Sequence, residues 1–143
     1  MPIIGFNLDK ILVERKKNIG GSIKVKNDVN IKSINEQEVS IGSKKEKVLK
    51  FNFEFSSEYQ PDIANISING HILFIDDTNR QKKILESWKK DKNILPEVVE
   101  LIINTALIRC NIKALSLSQD LNLPPNIRLP SIRRKVDVKD YIG

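Results

Sequence analysis

The segment from Leu95 to Pro130 constrains the fold most, because it contains a long helical pattern and then prolines that must end the helix. Pro96 suits the first turn of a helix, and Pro124 and Pro125 cannot continue one. Between them, apolar residues recur at spacings of mostly three and four, which is typical of one helix face. We therefore predict a long helix followed by an extended arm, Leu123 to Pro130. The apolar stripe of this predicted helix consists of Val99, Ile102, Ile103, Ala106, Cys110, Ala114, Leu117 and Leu121.

Alternating apolar and polar residues before this helix predict four strands. The alternation covers residues 4–13, 23–31, 49–55 and 64–74. A change of pattern near Lys10 predicts a bulge or kink in the first strand. Residues 36–47 and 57–62 are polar and predict a loop and a turn, although Val39 and Ile41 would also allow the second strand to extend.

The residues after the fourth strand predict a short helix. Asp76 and Asp77 are candidate capping residues, and Ile84, Leu85 and Trp88 follow at helical spacing. Four strands followed by two helices, without alternation of the two, indicate an α+β fold with an antiparallel sheet covered on one face. We predict one such domain over residues 1–132 and a basic C-terminal tail over residues 133–143.

Composition limits the class of protein. The chain has 143 residues, of which 40% are hydrophobic and 29% charged, as expected for one soluble domain with a proper core. A single cysteine excludes an internal disulfide. No apolar run approaches about 18 residues, so we expect no membrane span. The N-terminal residues do not read as a signal peptide, and the expected location is the cytoplasm.

The sequence contains no recognisable catalytic or cofactor motif. His71 is the only histidine, and Cys110, on the apolar stripe, would need it as a base to act as a nucleophile. A single histidine is also a poor basis for a metal site. We therefore expect a binding protein with no catalytic residues, no metal and no cofactor.

Phe51, Phe53 and Phe55 alternate with polar residues and allow two interpretations. They form either the core side of a strand or an exposed platform on which single-stranded nucleic acid stacks. Alternation alone fits both, and we favour the core.

With these elements in order, the chain resembles the bacterial export chaperone family SecB. The similarity lies in the kinked first strand, in residues 68–74 with Gly70 inside an apolar run, and in Leu121-Asn122-Leu123-Pro124-Pro125 closing the long helix. The resemblance implies a chaperone that holds unfolded, nascent or extended polypeptide. The apolar residues we predict to bind it are Leu73, Ile75, Trp88, Leu123, Ile127 and Leu129.

The net charge of +6 supports an alternative function, because SecB proteins are typically acidic. Basic faces neutralise phosphates without reading sequence, so an RNA- or ribosome-associated accessory protein is the second hypothesis. Its candidate phosphate-binding residues are Lys24, Lys26, Lys32, Arg128, Arg133, Arg134 and Lys135.

Apolar residues outside the main core positions predict a homo-oligomer. Leu73 and Ile75 lie on the sheet face that Phe53 does not use, and Leu101, Leu107 and Ile108 lie off the main helix stripe. The strand from Gly5 to Val13 would also be poorly protected if it lay at a sheet edge. Closed symmetry makes a dimer the expected unit.

Overall fold

The computed structural model describes residues 3–132, which form a four-stranded antiparallel sheet covered on one face by two helices. The elements are β1 (Ile3–Arg15), β2 (Lys24–Ile41), β3 (Lys44–Gln60), β4 (Ala64–Phe74), α1 (Thr78–Asp91) and α2 (Pro96–Asp120). The strand order is β1-β4-β3-β2, so the connection after β1 carries the chain from one sheet edge to the other. The predicted α+β fold is confirmed. The predicted tail, residues 133–143, lies outside the described residues.

The β2–β3 hairpin is much longer than predicted. Residues 36–47 were expected to form a loop, but β2 and β3 stay paired from Lys24 opposite Gln60 to Ile41 opposite Lys44. The turn is reduced to two residues, with Gly42 at a φ of 65° that favours glycine. The turn expected at 57–62 is shorter and lies at residues 61–63, because β3 runs to Gln60. The prediction of a loop was wrong because it took polar residues as the sign of a loop. In this hairpin the backbones of β2 and β3 stay paired although both faces are exposed.

The core lies between the inner face of β3 and β4 and the helix α2. Phe51, Phe53 and Phe55 are all buried in it, together with Ile68 and Ile72 of β4. The core interpretation of the three phenylalanines is therefore confirmed, and the nucleic-acid platform is wrong. The bulge predicted near Lys10 is also confirmed, because the register of β1 against β4 shifts between Leu8 and Lys10.

Helix α2 presents to the sheet a row of side chains spaced four residues apart. Its buried members are Val98, Ile102, Ala106, Cys110, Ala114 and Ser118. The predicted stripe is therefore corrected: Val99, Ile103, Leu117 and Leu121 are only partly buried. A row spaced by four is inclined to the helix axis, so the contact with the sheet moves around the helix along its length. Ser118 enters the core for this reason.

Two local devices fix the ends of the helices. The Asp77 carboxylate accepts a hydrogen bond from the Arg80 backbone N–H at 2.9 Å, which confirms the predicted cap of α1. After α2, Asn122 adopts a φ of 53°, and the backbone N–H of Leu123 donates to the Ser118 carbonyl at 2.8 Å. The chain then leaves the helix before Pro124, as predicted.

The arm that follows α2 is docked on the domain. Leu123 is 6% exposed and belongs to the core. The Tyr59 hydroxyl donates to the Pro124 carbonyl at 2.6 Å, and the Asn27 amide donates to the Asn126 carbonyl at 2.8 Å. The end of the β2–β3 pair therefore holds the arm through its backbone.

We expect Tyr59→Phe to weaken the docking of the arm. The substitution keeps the buried ring but removes the donor to the half-buried Pro124, and loss of such a hydrogen bond costs about 0.5–1.5 kcal/mol. Chemical denaturation gives the free energy of unfolding, and limited proteolysis at residues 124–132 reports local release. Unchanged stability together with unchanged proteolysis would contradict the role of this hydrogen bond.

Candidate polypeptide-binding surface

The six apolar residues predicted to bind polypeptide do not form one surface. Tyr59, which anchors the arm, pairs with Ala64 at the start of β4, whereas Leu73 lies near the other end of that strand. About nine residues of strand, or roughly 30 Å, separate the two positions. Ile127 and Leu129 belong to the arm, so they lie far from Leu73 and Ile75.

The individual environments of these residues differ. Leu73 and Ile75 are half-buried, and Leu73 lies on the outer face of the sheet, opposite the helices, as predicted. Trp88 packs against the core, with the Lys92 ammonium 4.8 Å from its ring centre. Leu129 is 48% exposed and accessible. The assignment of Leu123 is corrected, because its side chain fills the core and no ligand reaches it in this structure.

An open apolar groove of about 570 Å³ lies between β1 and α2. Phe6 and Leu8 contribute to it from the inner face of β1, and Ile112 contributes from α2 with 66% of its surface exposed. Its lining residues are Phe6, Asn7, Leu8, Arg109, Ile112, Lys113 and Ser116. An exposed apolar surface with a few polar groups at its border is typical of a site for another chain.

The edge of β1 runs along this groove. β1 pairs with β4 on one side only, because it is the first strand of the sheet. Its other side carries backbone N–H and C=O groups that no further strand of residues 3–132 pairs. Ile11 and Leu12 are exposed on the same strand, and the bulge between Leu8 and Lys10 interrupts its regularity. Such a strand edge is either covered by another element, blocked or used for pairing.

Sequence reasoning missed this groove. The alternation over residues 4–13 puts Phe6 and Leu8 on the buried face of a strand, and the predicted helix stripe does not include Arg109. The signal in the sequence was Ile112, an apolar residue of the long helix that lies outside the predicted stripe. The pattern of apolar residues did not show that the long helix lies beside β1, about 100 residues earlier in the sequence.

The face of β2 that carries the predicted basic residues has acidic neighbours as well. Lys24 and Lys26 lie opposite Gln60 and Glu58 of β3 in the sheet register, and the Lys32 ammonium is 3.7 Å from the Glu54 carboxylate. Alternating charges of both signs do not make a continuous stripe for phosphates. Arg128 is exposed on the arm, and the predicted residues Arg133, Arg134 and Lys135 lie outside the described residues.

The sheet separates the two residues that could have formed a catalytic pair. His71 lies on the outer face, where its Nδ1 is 2.8 Å from an Asp9 carboxylate oxygen. Cys110 is buried between α2 and the inner face. Burial raises the pKa of the Cys110 thiol to about 12, so the reactive thiolate is suppressed.

We expect Cys110 to resist thiol reagents in the folded protein. A pKa of about 12 in place of 9.0 lowers the thiolate fraction near pH 8 roughly a thousandfold. Reaction with a chromogenic disulfide should therefore be slow in buffer and fast in denaturant, where the thiol regains its ordinary pKa. Equal rates in the two conditions would show that Cys110 is accessible.

These features define a fold: an α+β domain with an antiparallel sheet, helices on one face and an open apolar groove beside a strand edge that is unpaired within residues 3–132. The fold is similar to that of a solved SecB-like chaperone. The chain is similar to the SecB-like chaperone Rv1957 of Mycobacterium tuberculosis, solved in complex with a ChAD peptide from the antitoxin HigA1. The TM-score is 0.57 at 10% identity, covering 94% of this chain and 92% of the other.

The likeness is one of structure alone. No protein-family model matches the chain, and no curated protein matches it by sequence. Neither helix described within residues 3–132 is long and apolar enough to cross a membrane.

Proposed function

We propose that this protein is a chaperone-type binding module that holds extended polypeptide in the groove between β1 and α2. The observation that carries the proposal is the groove itself, an open apolar surface of about 570 Å³ beside an unpaired strand edge. Extended chains bind such edges through main-chain hydrogen bonds and place alternate side chains in the adjoining pocket. The similar fold of a chaperone solved with a bound peptide supports the same role.

We further propose that the protein acts by binding and not by catalysis. Its one thiol is buried and its one histidine lies on the opposite side of the sheet. We also propose that the protein acts in the cytoplasm and that its clients are nascent or unfolded polypeptides.

Suppression of aggregation tests the function. Light scattering of a denatured client protein diluted into buffer should fall when an equimolar amount of this protein is present. We expect Ile112→Glu to reduce the suppression several-fold, because it places a charge on the apolar wall of the groove. Ile41→Glu is the matched control, since Ile41 is also exposed but lies at the tip of the β2–β3 hairpin.

Two results would count against the proposal. Failure of the unaltered protein to suppress aggregation at equimolar amounts would reject the chaperone role. Suppression by Ile112→Glu equal to that of Ile41→Glu would place the client elsewhere on the surface. If the protein instead captures partners from a lysate and loses them after nuclease treatment, the hypothesis of an RNA- or ribosome-associated accessory protein would be favoured.

The outer side of α2 supports the proposal of a homodimer. Leu101, Ile108 and Leu115 are seven residues apart and therefore lie on one line along the helix. Ile108 is 62% exposed, so this line presents apolar area away from the sheet. A two-fold axis through Ile108 would pair the line with itself in a second copy.

We expect sedimentation equilibrium to give twice the chain mass of 16.3 kDa for the unaltered protein. Ile108→Glu should shift the distribution to monomer, because two carboxylates would face each other across the axis. Ile41→Glu should leave it unchanged. A single species at 16.3 kDa across micromolar concentrations of the unaltered protein would show that the dimer prediction is wrong.

A further inference from the structure

The charged residues at the β1–α2 groove all have one sign. Arg109 and Lys113 line it from α2, and among the described residues no carboxylate lines it. The Arg109 guanidinium lies 4.9 Å from the ring centre of Phe6, so the positive charge is held directly over the apolar floor. Neither cation has a carboxylate within ion-pair distance in the part of the chain that the structure describes.

The geometry of β1 limits what shape of ligand fits here. Strand addition to a free edge requires an extended backbone, whose alternate side chains point to the same face of the sheet. On the inner face, those side chains would lie between Phe6 or Leu8 and the wall formed by Arg109, Ile112 and Lys113. An apolar side chain fits the floor, and a carboxylate two positions away in the ligand, on the same side, comes within reach of the cations.

We propose that the groove selects extended segments in which a large apolar residue and an Asp or Glu lie two positions apart, on one face of the segment, and that such a segment adds to β1 as a fifth strand. The inference rests on the proposed function and names the class of client. Complementary charge at the border of an interface contributes mainly to selectivity and association rate, while the apolar floor supplies affinity. Arg109 and Lys113 are therefore selectivity residues of the groove.

A second copy of this chain is a poorer occupant of the same groove. The β1 strand of a second copy would present Phe6 and Leu8 to the groove but no carboxylate on the same face, since Asp9 lies beside His71 on the outer face. The line through Ile108, on the outer side of α2, does not contain the cations of the groove and is the surface left for self-association.

Fluorescence anisotropy with two labelled peptides tests the selectivity. Each has about nine residues, roughly 30 Å when extended. In one peptide the odd positions carry Phe or Leu and Glu in turn and the even positions carry Ser, and in the other peptide Lys replaces Glu. We expect the acidic peptide to bind roughly tenfold more tightly at low salt, with a smaller difference at high salt. Equal affinities, or tighter binding of the basic peptide, would overturn the inference.

Charge reversal locates the effect. Arg109→Glu with Lys113→Glu should reverse the preference, so that the basic peptide binds more tightly. The matched control is Lys83→Glu with Lys90→Glu, two exposed positions on α1 outside the groove, which should leave the preference unchanged. Lys113→Glu alone provides a variant that keeps the contact of Arg109 with Phe6. A preference that survives both groove variants would reject the groove as its source.

Backbone methylation tests strand addition. Two versions of the acidic peptide carry N-methyl groups on the odd or on the even residues, and only one set of amides can face β1. We expect one version to lose binding and the other to retain it. Equal loss or equal retention would contradict pairing with the edge.

The tests separate the two levels of the proposal. If the protein suppresses aggregation but shows no acidic preference, the proposed function stands and this inference fails. If it neither suppresses aggregation nor binds either peptide, both fail.

Discussion

Phe53→Ala should destabilise the protein by about 3–5 kcal/mol, the range for removing a large aromatic side chain from a well-packed core. Phe53 is 1% exposed and stacks on Phe6 with ring centres 5.5 Å apart. Its ring also covers Gly70, its partner in β4. The substitution therefore opens a cavity that three strands enclose. The free energy of unfolding from chemical denaturation measures the effect.

Glu54→Ala is the matched control for this experiment. Glu54 is the next residue of β3, but its side chain lies on the outer face and its ion pair with Lys32 is exposed. The expected loss is below about 1 kcal/mol, as for other exposed ion pairs. If Phe53→Ala lost no more than this control, the assignment of the sheet's inner face would be wrong. Because Phe6 also lines the groove, Phe53→Ala should in addition weaken peptide binding in the protein that remains folded.

Gly70→Ala should also be strongly destabilising, although it adds only one methyl group. A Cβ at this position would lie 2.4 Å from the Asn7 carbonyl oxygen and 2.8 Å from Cζ of Phe53. The first of these atoms is backbone, so β1 itself must shift away from β4. Overpacking of this kind costs about 1–3 kcal/mol and occasionally more. The bulge between Leu8 and Lys10 lies beside the contact and is the part of β1 that would move.

Two other glycines provide graded controls. At Gly5 the added Cβ would meet only the flexible Leu73 side chain, at 3.2 Å, and at Gly20 it would meet nothing within 4 Å. We expect a small loss of stability for Gly5→Ala and no loss for Gly20→Ala. Thermal or chemical denaturation of the three variants gives the order. Equal stability of Gly70→Ala and Gly20→Ala would show that β1 does not approach β4 as closely as described.

The sequence alone determined the order of the elements and the buried face of β3. Alternation of Phe51, Phe53 and Phe55 with polar residues placed their strand against the core, because successive side chains of a strand point to opposite faces. The prolines after Leu123 fixed the end of the long helix, because they cannot continue it. The order of strands before helices then gave the α+β class.

The sequence did less well where polar residues pair or where a helix crosses a sheet. The polar sequence of residues 36–47 is typical of a loop, yet these residues are paired strands of the hairpin. Main-chain hydrogen bonds between strands form without an apolar face. Val98 and Ser118 replaced Val99 and Leu117 in the core, since the crossing of α2 over the sheet selects the row of contacts. The spacing of apolar residues indicates which face of a helix is apolar, but it does not indicate the angle at which the helix crosses the sheet.

Only the tertiary structure decided which residues form the candidate site. Leu73 and the arm residue Leu129 are at opposite ends of the sheet, although both are apolar positions outside regular core patterns. Phe6 and Ile112 line one groove because the crossover after β1 leaves that strand at the sheet edge beside α2. Register likewise placed Glu58 opposite Lys26 and so divided the basic face of β2. Strand order and register are relations between distant segments, and local patterns of polarity carry no information about them.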